Sequence, residues 1–271
     1  MLNLLPNQKA DLIILDIMMP EMDGLEVLDA IKAREPELPV IIFSGHGNID
    51  TAVSAIGRGA MDFIEKPFEA ERLLLLVERA TETERLRREL ASLRVLAERL
   101  YRRNPRELKK SGQRGVEAAV SRIFDRHHGW QFEDLQLQRG AQAIQLAFRA
   151  DFAGDRVLAF VVGLASMVQS AFNDKTEFFV LDDVDPQGLY NAARNVEIAV
   201  WKLSNTRNAA GELMLLSNEG SGPVPNLAFE RDFGKIIAGL DVLSKVLAGR
   251  YNRTVVKVVQ SVATAVFLPI R

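Results

Sequence analysis

The 271-residue sequence contains no cysteine, which excludes disulfides and thiolate metal sites. It has no excess of charge of one sign. Its 34 Lys and Arg against 36 Asp and Glu leave a formal net charge of −2, so nothing global draws it to nucleic acid or an anionic membrane. Long apolar runs are missing as well. The two longest, 156–172 and 255–270, carry polar or basic interruptions and fall short of the roughly 20 residues of a spanning helix. Both are expected to be buried core helices. The N-terminal stretch MLNLLPNQKADLIILD lacks a basic flank, a long apolar segment and a small-residue cleavage site, so no secretory signal is expected. No GxxxxGK(S/T) phosphate loop and no convincing recognition-helix pair occur, so neither a P-loop ATPase nor a helix-turn-helix DNA reader is expected.

What remains is an ordinary globular composition, 48% hydrophobic and 26% charged, long enough for two domains. Residues 11–16 (DLIILD) are a short apolar run ending in an acid, which suits a parallel strand buried on both faces. MPEMDG supplies a turn, and LEVLDAIKARE reads as an amphipathic helix. VIIFSG is a second strand, broken by Gly45 and Gly47, with Asn48 or Asp50 placed to cap the helix DTAVSAIGRGA. MDFIEK is a third strand, ending at Pro67. A strand–helix alternation of this kind predicts a parallel sheet with covering helices.

The strand ends carry the chemistry. Asp16 closes the first strand at the rim where open parallel sheets place ligands, and an aspartate there can attack a phosphoryl donor as a carboxylate nucleophile. Ser44 closes the second strand and can donate to a phosphoryl oxygen. Lys66 closes the third and can pair with the phosphoryl group as a point charge.

LDIMMPEMDG, FSGHG and FIEKPF resemble three motifs of two-component response-regulator receiver domains. The stretch SGHGNIDTAVSAIGRGAMDFIEKPFEAERLLLLVERA is most similar to the nitrogen-regulation, NtrC/NtrX-like group, and the resemblance covers roughly residues 5–90. It implies that Asp16 is the phosphoacceptor and that Mg²⁺ is held by Asp16 and the Met18 backbone carbonyl. It further implies that Ser44 and Phe63 are the switch residues, that Lys66 contacts the phosphate ahead of a cis Lys66–Pro67 bond, and that the partner is a sensor histidine kinase. The family's first strand, first helix and second strand have no counterpart here, so the expectation is a truncated, partial flavodoxin-like sheet lacking the acidic pair that helps hold the metal. FFVLDDVDP is a candidate substitute, with Asp182 and Asp183 following an apolar run; the alternative is a core strand ending in a solvated, helix-capping turn.

The helix begun near Glu69 has no Gly or Pro before Arg103, and Leu86, Leu90, Leu93, Ala97 and Leu100 keep a 4-3-4-3 spacing. Such a seam suits a coiled-coil homodimer through residues 86–100, an antiparallel partner, or a helix packed on its own domain. Asn104-Pro105 and KKSGQRG (109–115) read as a linker. Beyond it, residues 116–128 and PQGLYNAARNVEIAVWKLSN look helical, 176–185 and 211–218 look like strands, and the remainder reads as two helices broken near Gly249. The expected organisation is a receiver over 1–85, a helical linker over 86–111 and a helix-rich α+β domain over 112–271.

Other candidates are weaker. His46 sits in a loop near Ser44, and His127 and His128 are expected to end a helix, where a cation suits the dipole. Trp130, Phe132, Trp201 and Tyr190 are expected to be core anchors. Arg99, Arg102, Arg103, Arg106, Lys109 and Lys110 form a basic cluster diluted by nearby acids, so no nucleic-acid partner is evident. The functional expectation is a cytoplasmic response regulator, a phosphoacceptor rather than a turnover enzyme, with output through the long helix. The alternative is a non-enzymatic interaction or envelope-associated protein carrying a receiver remnant.

Overall fold

The computed structural model describes residues 10–19, 22–36, 38–45, 49–125, 128–174, 184–218, 228–250, 255–257 and 266–270. The chain divides into two compact units, with the boundary between Arg85 and Leu86.

The first unit is built on β1 (Ile13–Asp16), β2 (Met18–Met19), β3 (Met22–Asp23), α1 (Gly24–Arg34), β4 (Val40–Ser44), α2 (Ile49–Gly57), β5 (Asp62–Glu65) and the start of α3 (Ala70–Arg103). β1, β4 and β5 form a parallel sheet in that order, with Asp16 opposite Phe43 and Ser44 opposite Glu65. Central β4 is buried on both faces, as its unbroken VIIF run requires. The pleat divides the apolar side chains into two cores. On one face Ile13, Leu15, Val40 and Ile42 pack with Val27, Leu28 and Ile31 of α1 and Ala55 of α2. On the other, Ile41 and Ile64 pack with Leu76 of α3, and Phe43 packs against Phe68 with centroids 4.7 Å apart and the rings tilted by 42°. α1 starts where the sequence punctuates it: Asp23 accepts a hydrogen bond from the Leu25 N–H at 2.9 Å as N-cap. Among the described residues β1 pairs on one side only, and Ile14 on its second face stays 41% exposed.

The second unit begins in α3 and continues through α4 (Pro105–Lys110), α5 (Val116–Phe124), a 3₁₀ turn at Glu133–Leu135, α6 (Gly140–Ala147), α7 (Arg156–Ala171), α8 (Pro186–Asn205) and α9 (Ala228–Arg250). α7 is apolar on every side and buried along nearly its whole length. Asp155 caps it, accepting from the Val157 and Leu158 N–H groups and from the Tyr101 hydroxyl at 2.7 Å. α6 crosses α7 at Gly163, where a Cβ would lie 2.8 Å from the Gly140 carbonyl oxygen and the Ile144 nitrogen. Gly163→Ala is therefore expected to destabilise this unit by about 1–3 kcal/mol in urea denaturation. An unchanged midpoint would show that the two helices can separate without loss.

Leu93, Leu96, Ala97 and Leu100 are fully buried and Leu86 nearly so. Most of the apolar seam is thus covered within one chain. Arg99 pairs with Asp232 of α9, and the carboxyl carbon of Glu89 lies 3.2 Å from where a Gly239 Cβ would stand. Leu90 of the same seam is only partly buried.

Several local expectations are corrected. KKSGQRG is not an extended linker: α4 runs through Lys110, and a turn with Gly112 at φ +68° leads directly into α5. The strand expected over 211–218 is reduced to an isolated bridge between Arg207 and Leu213. Its alternation survives, with Leu215 and Ser217 buried and Leu216 48% exposed. The backbone of Leu216, however, bonds to the Asn104 side chain, donating at 2.8 Å and accepting at 2.9 Å. An amide side chain here replaces a strand partner. Past α9, the described residues 255–257 and 266–270 belong to no helix, so the helix expected over 255–270 is absent from them. The strand expected over 176–185 falls almost entirely outside the described residues.

Candidate functional site

The polar groups expected at the strand ends meet at one rim of the first unit. Asp16 ends β1, and the parallel register places Ser44 one residue beyond Asp16's partner on β4. Lys66 follows β5, its N–H donating to the Ser44 carbonyl oxygen at 2.8 Å. The Lys66 ammonium forms an ion pair with Asp16 Oδ2. Asp16 Oδ1 accepts from the Met18 N–H at 3.2 Å. The Lys66 contact is the main reason the Asp16 carboxyl titrates below its ordinary value; partial burial opposes it and the Met18 N–H assists. Asp16 is therefore a carboxylate at any physiological pH, the form a nucleophile needs. Ser44 is 2% exposed, which leaves its side chain at the floor of the rim.

The surrounding residues hold this arrangement. The Lys66–Pro67 bond is cis. Phe43 lies under the Lys66 ammonium, 5.9 Å from ring centroid to Nζ, a contact visible only once β4 and β5 are aligned. Gly24 stands where α1 begins against the backbone of β1: its N–H donates to the Ile17 carbonyl at 3.1 Å, and a Cβ there would lie 2.6 Å from Ile17 Cα. The MDG turn of the sequence carries that signal, though its target is nonlocal. Gly24→Ala is expected to cost the first unit about 1–3 kcal/mol and to displace Asp16. A variant as stable as the parent by urea denaturation would disprove the close packing. Phe63 is half-buried against the α1–α2 core.

The Asp16 carboxylate and the Met18 carbonyl are hard oxygen donors, the kind Mg²⁺ takes. No group of three His, Asp or Glu suited to a metal occurs among the described residues. Asp182, Asp183, His46 and His127 lie outside the described residues. His128 is not the end of α5, which stops at Phe124; it lies in the following turn, bonded to the Ile123 carbonyl at 2.8 Å and accepting from the Trp130 N–H at 2.9 Å. Trp130 and Phe132 are buried core side chains, whereas Tyr190 and Trp201 are only partly buried. Arg99 pairs with Asp232, Arg102 reaches Glu98 at 3.6 Å, and Lys110 pairs with Glu107 at 2.8 Å. These members of the basic cluster are thus engaged within the chain.

A parallel sheet flanked by helices, with polar groups at the carboxyl ends of its strands, puts the first unit among the α/β modules of the flavodoxin-like, receiver class. More particularly, residues 1–78 match the family model described as the response regulator receiver domain. The chain is 57% identical over 93 residues to the nitrogen assimilation regulatory protein NtrX of Azorhizobium caulinodans, a match spanning 34% of this chain and 20% of that protein. It is 52% identical over 89 residues to the C4-dicarboxylate transport transcriptional regulatory protein DctD of Rhizobium meliloti, over 33% of this chain and 19% of that one. The crystal structure of the receiver domain of NtrX from Brucella abortus is 57% identical, with 30% of this chain and 69% of that chain covered at a TM-score of 0.29. The chain therefore spans about a fifth of the curated relatives it matches.

Proposed function

We propose that the chain is a two-component response regulator in which Asp16 accepts a phosphoryl group from a sensor histidine kinase. The observation that supports it is the pairing of the Asp16 carboxylate with Lys66, beside Ser44, at the ends of three adjacent strands. An Asp16 oxygen attacks phosphorus, the O–P bond of an acyl phosphate forms, and the N–P bond of a phosphohistidine breaks. The leaving imidazole nitrogen takes up a proton. Lys66 then exchanges its carboxylate contact for a phosphoryl oxygen, and Ser44 turns its hydroxyl toward the new group. Phe63, packed on the same face as α1 and α2, is the second switch residue, moving into space that Ser44 vacates. Asp16 and the Met18 carbonyl are the residues that would hold Mg²⁺, which would supply neutralisation of charge on the phosphoryl oxygens. The reading places the protein in the cytoplasm, with α3 leading to the output. No helix among the described residues is long and apolar enough to cross a membrane.

Incubation of the full chain with acetyl phosphate and Mg²⁺, followed by intact-mass measurement, tests the reading: one acid-stable, base-labile phosphoryl adduct is expected. No adduct, together with no change in Phe63 resonances on adding beryllofluoride, would end it.

Among the described residues β1 pairs on one side only, which favours a second reading, a non-enzymatic interaction protein that carries a receiver remnant. On that reading the chain takes up no phosphoryl group.

A further inference from the structure

We infer that one face of α8 is a binding site for an extended peptide, and that residues 266–270 of the same chain occupy it as a stand-in ligand. Gln187, Asn191 and Asn195 recur every four residues and so share a face of α8. Each bonds backbone of the C-terminal segments through its side-chain amide, and Gln187 also bonds Asn191. Asn195 donates to the Leu268 carbonyl at 2.8 Å and accepts from the Leu268 N–H at 2.6 Å. Asn191 donates to the Pro269 carbonyl at 2.6 Å and accepts from Gln187 at 2.9 Å. Gln187 grips Val256 in the same two-handed way, at 2.7 Å and 3.1 Å. An amide can hold the N–H and C=O of one residue together only when that residue is extended, because in a helix the two groups point in opposite directions. Gly188 lets the strand approach: a Cβ there would stand 2.9 Å from the Ile270 carbonyl oxygen.

The two sides of this contact differ. The amides of α8 are built in, with Asn195 1% and Asn191 8% exposed, and so deeply buried a polar group demands a partner. The segment they hold lies nearer the surface. None of residues 266–270 is buried, and Val266 is 70% exposed. At Leu268 and Pro269 the segment is held by backbone hydrogen bonds that any extended chain can supply. The ligand is accordingly an extended apolar peptide with a free N–H opposite Asn195, proline being accepted one residue later, where only a carbonyl is used. This is strand recognition by side-chain amides in place of a sheet edge.

The test uses the full chain and a fluorescent peptide of its last seven residues, AVFLPIR. Leu268→Pro removes the N–H that reaches Asn195 and weakens the resident strand. That variant is expected to bind the peptide about tenfold more tightly than the parent, the factor produced by one hydrogen bond of ordinary net worth. Adding Asn195→Ala is expected to return binding to background, as is proline at the leucine position of the peptide. Equal binding by Leu268→Pro and the parent, with helical circular dichroism unchanged, would overturn the inference. Hydrogen exchange on the parent stands independently of the variant's folding. The Leu268 amide is expected to exchange well before Val196 and Ala199 inside α8, and protection equal to theirs would make the strand part of the core and sink the idea.

Discussion

Asp16→Asn is expected to abolish phosphoryl incorporation from acetyl phosphate while leaving the urea midpoint of the first unit within about 1 kcal/mol of the parent. The two effects separate because they have different causes. Incorporation needs an ionised carboxylate oxygen as nucleophile, and an amide is not one. Stability depends little on the Asp16–Lys66 pair, since both side chains are more than a third exposed and solvent screens them. Lys66→Ala makes the complementary case. It lets the Asp16 carboxyl return toward its ordinary titration and removes the cation facing the transferred oxygens, so incorporation should slow about a hundredfold without vanishing. Because Lys66 holds the Asp16 carboxyl down, whatever stability the pair contributes is present above the ordinary aspartate range and is lost as pH falls through the depressed value. Full labelling of the Asp16→Asn variant would place the phosphoacceptor elsewhere.

The second large effect belongs to the helical unit. Glu89 of α3 lies against Gly239 of α9, and no described residue donates a hydrogen bond to it. Burial pushes its carboxyl up to about 7, with Arg88 pulling weakly the other way. A carboxyl whose folded value is raised binds protons that the unfolded chain has released, so folding stability declines as pH rises from the ordinary glutamate value to about 7 and is level above it. Allowing for partial exposure, the decline is about 2 kcal/mol. Asp155, raised by burial to about 6, adds a decline of the same sign at lower pH. Glu89→Gln should therefore raise stability at pH 8 by about 2 kcal/mol and flatten the upper part of the profile, leaving the Asp155 portion intact. Urea denaturation at pH 5 and pH 8 measures both. An unchanged upper slope would show that Glu89 keeps its charge in the folded state.

Much of the candidate site is legible in the chain because its signals are local. β1, β4 and β5 are apolar runs ended by Asp16, Ser44 and Lys66, and the turn residues after each mark the rim where those side chains emerge. α8 begins at Pro186 behind an Asp185 cap, both readable as a helix start. Where a residue's partner is distant in sequence, the reading stops short. The alternation over 211–218 is real, but whether it pairs as a strand depended on Asn104, 112 residues away, taking the Leu216 backbone. The apolar run over 255–270 looked helical by composition, and in its described residues Gln187, Asn191 and Asn195 claim the backbone bonds that a helix would have used.

Taken alone, the amino-acid order determined the parallel α/β start, the acid, hydroxyl and lysine at its strand ends, and the long helix that follows, since propensity, capping and hydrophobic period act within a few residues. Only the tertiary structure decided what the heptad seam faces, why Gly24 and Gly163 must be glycine, and where Glu89 and Asn195 are buried. Periodicity shows that a face is apolar but not what covers it, and the burial that shifts a carboxyl or demands an amide's partner arises only when distant segments close around it.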